Sequence, residues 1–258
     1  MTFTFTPVAR RYAQHAAAAD RSAWSVERDI GWTRIDAALA WQTPDLLAAL
    51  RDAAIIESFH PVNLQRLLRF TWDDVDAGVV FSLEMYEGFK HFHALRTYLE
   101  IVGHTPAITD DDIVGARRSA MTESPGSEPS LIERLVEFML SEHLASFFFR
   151  RLAERAREPV LAALLSLIAA DEVRHAQSAS DLIAKRIAED PSLVPAVLDA
   201  AAGFHHFGEE AVGEVPVAMP GDPMAIRTFA RRIERLCGVR LVDHLKHTLD
   251  QPRTGSAP

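Results

Sequence analysis

Ile168-Ala169-Ala170-Asp171-Glu172-Val173-Arg174-His175 closes an apolar run with a glutamate and a histidine three residues apart. On a helix that spacing puts both side chains on one face. The same face carries Leu161, Leu164, Leu165, Ile168 and Ala179, so it is the buried one. Thirty residues upstream, Glu142 interrupts a second apolar stripe of Leu131, Leu135, Phe138, Ala145, Phe149 and Leu152. The midpoint between the two glutamates falls at Arg157-Glu158-Pro159, a turn sequence. An antiparallel hairpin turning there brings Glu142 and Glu172 to one level, roughly 22 Å from the turn at about 1.5 Å per residue.

The arrangement recurs upstream. Glu57 and Glu87 are also 30 residues apart, their midpoint lies in Thr71-Trp72-Asp73-Asp74, and His91 follows. Two such hairpins gather four carboxylates and two imidazoles inside one bundle. A buried carboxylate without compensation is very costly, and several together repel. Metal ions supply the missing positive charge, and iron, manganese or zinc suits a mixture of carboxylate oxygen and imidazole nitrogen. The predicted ligands are Glu57, Glu87, His91, Glu142, Glu172 and His175. His91 stands four residues after Glu87, and a π-bulge would bring the two into register. His60 is the alternative donor of the first hairpin, but Pro61 disfavours helical geometry there, so His91 is preferred. Glu84, one turn before Glu87, is either a carboxylate that moves onto the metal or a buried hydrogen-bonding partner.

Helical signals run along the chain. A first helix is expected from Thr43-Pro44-Asp45, an N-cap followed by proline, with a kink at Pro61. A second starts near Asp73-Asp74, and the third and fourth carry the two stripes above. Residues 1–42 read as irregular or partly helical, and 103–126 as a long connection with a turn at Ser124-Pro125-Gly126. Shorter helices, separated at Val215-Pro216 and Met219-Pro220-Gly221, are expected over 191–250, before a frayed tail from Gln251. No strand periodicity persists. These signals predict one all-α domain over 1–258, with a core bundle at about 43–188. His205 and His206 are adjacent and point about 100° apart on a helix, which suits structural roles better than a shared metal.

Composition agrees. Of the 258 residues 48% are hydrophobic and 24% charged, ordinary globular usage. The net charge of −9 and the lack of a basic tract argue against a nucleic-acid partner. Cys237 is the only cysteine, so the chain forms no internal disulfide and holds no iron–sulfur cluster of its own. The first residues lack the charged region and apolar run of a signal peptide, and Val160 to Ala170 is too short to span a membrane. The expectation is a cytoplasmic protein without a membrane partner.

The segment 168–175 resembles the Ile-Ala-Ala-Asp-Glu-Lys-Arg-His stretch of the soluble acyl-carrier-protein desaturases, members of the ferritin-like di-iron carboxylate proteins. Lys90-His91 with Leu95 and Tyr98-Leu99 is similar to another segment of that family, and Ile56-Glu57 with Pro61 to a third. The resemblance covers roughly residues 25–250. It implies a ferritin-like four-helix bundle with additional N- and C-terminal helices, and two iron ions, with manganese as an alternative. It further implies an oxygen-dependent desaturase or hydroxylase acting on a hydrophobic or carrier-linked substrate. A homodimer, an external electron donor such as ferredoxin, and an acyl carrier protein are the implied partners. Asp171 and Trp32 match the aspartate and tryptophan of the family's presumed electron path.

Two departures stand out. Gly88 occupies the place of the family's helix-two glutamate, and the helix-three ligand would fall near Met139 rather than Glu142. A glutamate spacing near 30 resembles other di-iron branches, the multicomponent monooxygenases and tRNA hydroxylases. Leu95, where a radical-generating reductase subunit would carry tyrosine, argues against that class. A storage shell gives no purpose to the helices after residue 190, and a rubrerythrin-like peroxidase would bring a cysteine-rich domain. The reading from a different class is a metal-free helical scaffold, its buried glutamates paired with Lys90, Arg151 or Arg174.

Overall fold

The computed structural model describes residues 11–121, 129–206 and 223–250. The turns read at Ser124-Pro125-Gly126, Val215-Pro216 and Met219-Pro220-Gly221, and the tail from Gln251, lie outside the described residues. The described residues are helical with no strand. The bundle is built from α4 (Pro44–Glu57) continued by α5 (His60–Phe70), α6 (Val75–Ile101), α8 (Leu131–Arg155) and α9 (Pro159–Glu189). Ahead of it stand α1 (Arg11–Ser22), α2 (Val26–Asp29) and α3 (Ala37–Ala40), with a 3₁₀ turn at Trp32–Arg34. After it come α10 (Val194–Ala202), α11 (Pro223–Cys237) and α12 (Leu241–Asp250). This is the all-α bundle with flanking helices that the stripes predict. No helix among the described residues is long and apolar enough to cross a membrane.

Both hairpin turns sit at the predicted midpoints, and each is capped. The Asp74 carboxylate accepts the first free amides of α6, from Asp76 and Ala77. The Glu158 carboxylate does the same for Val160 and Leu161 of α9, and Pro159 follows at the position where a missing N–H costs nothing. A reciprocal Ser130–Glu133 capping box starts α8.

The first helix departs from the expected kink: it breaks completely at Ser58-Phe59. Pro61 has no N–H to give the Glu57 carbonyl four residues back, and its ring crowds that carbonyl. His60 Nδ1 takes over the Glu57 carbonyl at 3.1 Å, and Arg117 takes the Ser58 carbonyl at 2.6 Å. Arg117 comes from α7 (Asp110–Met121), a helix within the stretch read as a connection. Its start is fixed by Thr109 and Asp112, each bonding the other's backbone amide, and by three aspartates in the first turn. In α6 the helix is regular from Val75 to Ile101, without the π-bulge invoked to align Glu87 and His91.

The apolar interior falls into two main blocks and a small third one of Phe59 and Val62 at the α4–α5 break. Of the main blocks, one joins α4, the C-terminal half of α6, the C-terminal half of α8 and the start of α9. The other joins α5, the start of α6, the start of α8 and the end of α9 with α10. Between them lies a buried polar layer: Glu57, His60, Glu84, Glu87, His91, Glu142, Glu172 and His175.

Candidate metal centre

Two groups of side chains in that layer can each hold a cation. Glu57, His91 and Glu172 form one, and Glu142, Glu172 and His175 the other, with the donor atoms of each group within 4.8 Å of one another. Glu172 belongs to both. One oxygen, Oε1, lies 2.9 Å from His91 Nδ1, and the other, Oε2, 3.0 Å from His175 Nδ1. Glu57 Oε2 completes the first side at 3.4 Å from His91 Nδ1, and Glu142 Oε2 the second at 3.5 Å from His175 Nδ1.

The atoms fit a metal better than they fit each other. Glu57 Oε2, His91 Nδ1, Glu142 Oε1 and Glu172 Oε1 are buried and make no hydrogen bond. His91 Nδ1 and Glu172 Oε1 stand at bonding distance without bonding geometry. Donors that converge on a common point look like this, and buried polar atoms are otherwise satisfied.

Each imidazole is held from behind. His91 Nε2 meets Asp171 Oδ2 at 3.0 Å, and His175 Nε2 meets Glu87 Oε2 at 2.9 Å. A carboxylate on the far nitrogen fixes the ring and leaves Nδ1 for a metal. Glu87 therefore stands behind His175 rather than among the converging donors. Its oxygens take both Nη atoms of Arg174 at 2.7 and 2.9 Å. Lys90 Nζ lies 4.0 Å away. Of the pairings expected for a metal-free scaffold, those of Arg174 and Lys90 are present, both on Glu87; Arg151 bonds Glu154 at the surface. Glu57, Glu142 and Glu172 face imidazoles instead.

His60 spans the layer on the α5 side. Its Nδ1 is 3.5 Å from Glu57 Oε2 and its Nε2 3.7 Å from Glu142 Oε1. Burial alone would lower its pKa, but Glu142 and Glu57 outweigh burial and hold it at about 9. His91 and His175 are likewise held well above the ordinary histidine value against burial, chiefly by Glu172. Burial and the neighbouring Glu172 push Glu142 up to about 7. Glu172 stays well below the usual range: burial opposes this, but the bond from Glu142 and the two imidazoles prevail. Without a cation, protons on the imidazoles balance the carboxylates.

The tryptophan beside the centre is Trp24, not Trp32. The Trp32 indole donates to the Val26 carbonyl at 2.6 Å. The Trp24 indole donates to Asp171 Oδ2 at 2.8 Å. Three tryptophans precede residue 42, but no local spacing links residue 24 to residue 171. Met139, the register position suggested by the resemblance, is apolar core, while Glu142 reaches the centre. Phe138 and Phe148 are core as well, packed edge-on against Phe81 and Phe149. His206 is buried and His205 exposed, so the pair faces different surroundings.

No family model matches the chain. Over 96 residues it is 31% identical to the proteins described as "Putative acyl-[acyl-carrier-protein] desaturase DesA2" in two Mycobacterium tuberculosis strains, CDC 1551 / Oshkosh and ATCC 25618 / H37Rv. The chain resembles the acyl-carrier-protein desaturases. The matched stretch is 36% of this chain, and the chain spans about a third (34%) of the length of these relatives. The desaturase resemblance and the metal-competent carboxylate–histidine groups together suggest an oxidoreductase with a metal centre.

Proposed function

We propose that the chain is a di-iron oxidoreductase that uses dioxygen to desaturate or hydroxylate a hydrophobic or carrier-linked substrate. The observation that carries this reading is Glu172, shared by two buried donor groups that each pair carboxylates with one imidazole. Glu57, His91 and Glu172 would hold one ion, and Glu142, Glu172 and His175 the other. Bound iron would supply the oxygen chemistry. The residues around it keep the donors in place: Asp171 and Glu87 fix the two imidazoles, and the apolar blocks above and below exclude water.

Electrons would enter through Trp24 and Asp171. Trp24 borders a surface pocket of about 400 Å³ that Tyr86, Phe89, Lys90 and His93 also line. A separate molecule such as a ferredoxin would supply the electrons. An acyl carrier protein as substrate carrier, a homodimer as the working assembly, and a cytoplasmic setting complete the proposal by resemblance.

The deciding experiment is the metal content of the purified protein beside Glu172→Ala. About two irons per chain, the number such a bundle holds, lost together in the variant, supports the reading. No metal after anaerobic ferrous loading overturns it and leaves a helical scaffold.

A further inference from the structure

Helix α6 turns Glu84, Gly88 and His91 toward the centre, spaced to share one face of the helix. At Gly88 nothing can project. A Cβ there would stand 2.3 Å from Cγ of His60, 2.5 Å from its Nδ1 and 2.6 Å from its Cδ2. The His60 ring lies against bare backbone and fills the space of a side chain at 88. Glu87 is engaged behind His175 by Arg174. The convergent donors are thus three carboxylates and two imidazoles, and α6 gives them only His91.

Glu84 is the carboxyl left over. It is 2% exposed, and both of its oxygens are buried without a hydrogen bond. The charges it senses are His175, Glu142, His60 and Glu87, which places it on the Glu142–His175 side of the layer. A buried carboxyl with no partner is costly in the folded protein. An electropositive partner in the same layer would remove that cost.

We propose that Glu84 is the fourth carboxylate ligand and binds the ion held by Glu142, Glu172 and His175. This rests on the di-iron reading. Glu84 lies outside the two groups of donors within 4.8 Å of one another. Ligation therefore turns the side chain about its own bonds onto the ion, one helical turn from the position that His60 blocks. The two ions then differ: one is fixed by preformed donors, and the other is completed by a carboxylate that moves.

The test is anaerobic ferrous titration of the wild type, Glu84→Gln, Glu84→Leu and Glu172→Ala, with thermal melts of each metal-free protein. The expected result is two ions in the wild type and one in both Glu84 variants, the second weakened tenfold or more. Metal-free Glu84→Leu should melt at or above the wild-type temperature, because it loses only an unpartnered carboxyl. Unchanged binding of two ions by both Glu84 variants overturns this ligand and leaves the di-iron reading standing. A lower melting temperature for metal-free Glu84→Leu also overturns it, because Glu84 would then hold the fold. A wild type that binds no iron overturns both readings.

Discussion

Trp24 and His91 bond the same oxygen of Asp171, at 2.8 and 3.0 Å, with their rings 6° from parallel and 6.1 Å apart. Lys90 lies over the Trp24 ring at 4.2 Å and meets that same oxygen at 3.1 Å. The other oxygen accepts from Arg174 at 2.7 Å. Burial would raise the pKa of Asp171, but the bond and charge of the His91 imidazolium, with the charges of Lys90 and His175, hold it well below its ordinary value. A continuous contact thus runs from a surface pocket through Trp24 and Asp171 to a centre imidazole.

Trp24→Phe keeps the apolar body of the ring and removes its N–H. We expect iron content to stay near the wild-type level, while reduction of the oxidised centre by an external donor slows at least tenfold in stopped flow. Trp32→Phe breaks only the bond to the Val26 carbonyl and should leave that rate unchanged. Equal rates for Trp24→Phe and wild type would remove Trp24 from the path.

Glu172 and Glu57 should differ in iron stoichiometry. Glu172 serves both groups and Glu57 one. Glu172→Ala is expected to lose both ions. Glu57→Ala should keep one, held by Glu142, Glu172 and His175. Asp171→Asn leaves the donors in place but loosens the His91 ring, so affinity should fall about 10- to 100-fold, the usual effect of removing an orienting partner. Iron titration with bound-metal analysis reads all three. A Glu57 variant that loses both ions would mean that the two groups do not load separately.

Much of this arrangement is legible before folding. Equal spacings of 30 residues about turn sequences located both hairpins, because helical rise per residue is constant and antiparallel helices keep level. Glu142 and Glu172 stood out because each sits in an apolar stripe. Spacing along one helix said less about Glu87. Its direction is decided by Arg174 from α9, a tertiary contact. Trp24 was illegible for the same reason. The helix at Asp110–Met121 has a local start signal in Thr109 and Asp112, three residues beyond Pro106, but the proline and glycine around it give the stretch the look of a connection.

Gly88 and His60 should be strongly coupled in stability. Glycine inside a helix costs about 1 kcal/mol relative to alanine. Gly88→Ala would recover that, but its methyl group collides with the His60 ring, and overpacking of a buried site costs about 1–3 kcal/mol. The single variant should be destabilised by up to about 2 kcal/mol on balance. In a His60→Ala background the same change meets open space and should stabilise by up to about 1 kcal/mol. Chemical denaturation of the four proteins closes the cycle. Additive effects would show that the ring moves aside freely.

His206 should make stability fall with acid. Burial holds its pKa down at about 4, against a weaker upward pull from a Ser141 backbone bond, compared with 6.5 when unfolded. Above pH 6.5 the side chain is neutral in both states and contributes no pH dependence. Below 6.5 the unfolded chain takes up a proton that the folded one refuses, so stability drops as pH falls, levelling off below about 4. At about 1.4 kcal/mol per pH unit the loss approaches 2–3 kcal/mol across that window. His206→Leu removes this contribution and keeps an apolar side chain of similar reach. Between pH 7.5 and roughly 4.5 the wild-type denaturation midpoint should fall relative to that of the variant, the difference changing steadily as the pH drops. A gap that stays constant would mean that His206 is protonated in the folded protein as readily as in the unfolded one.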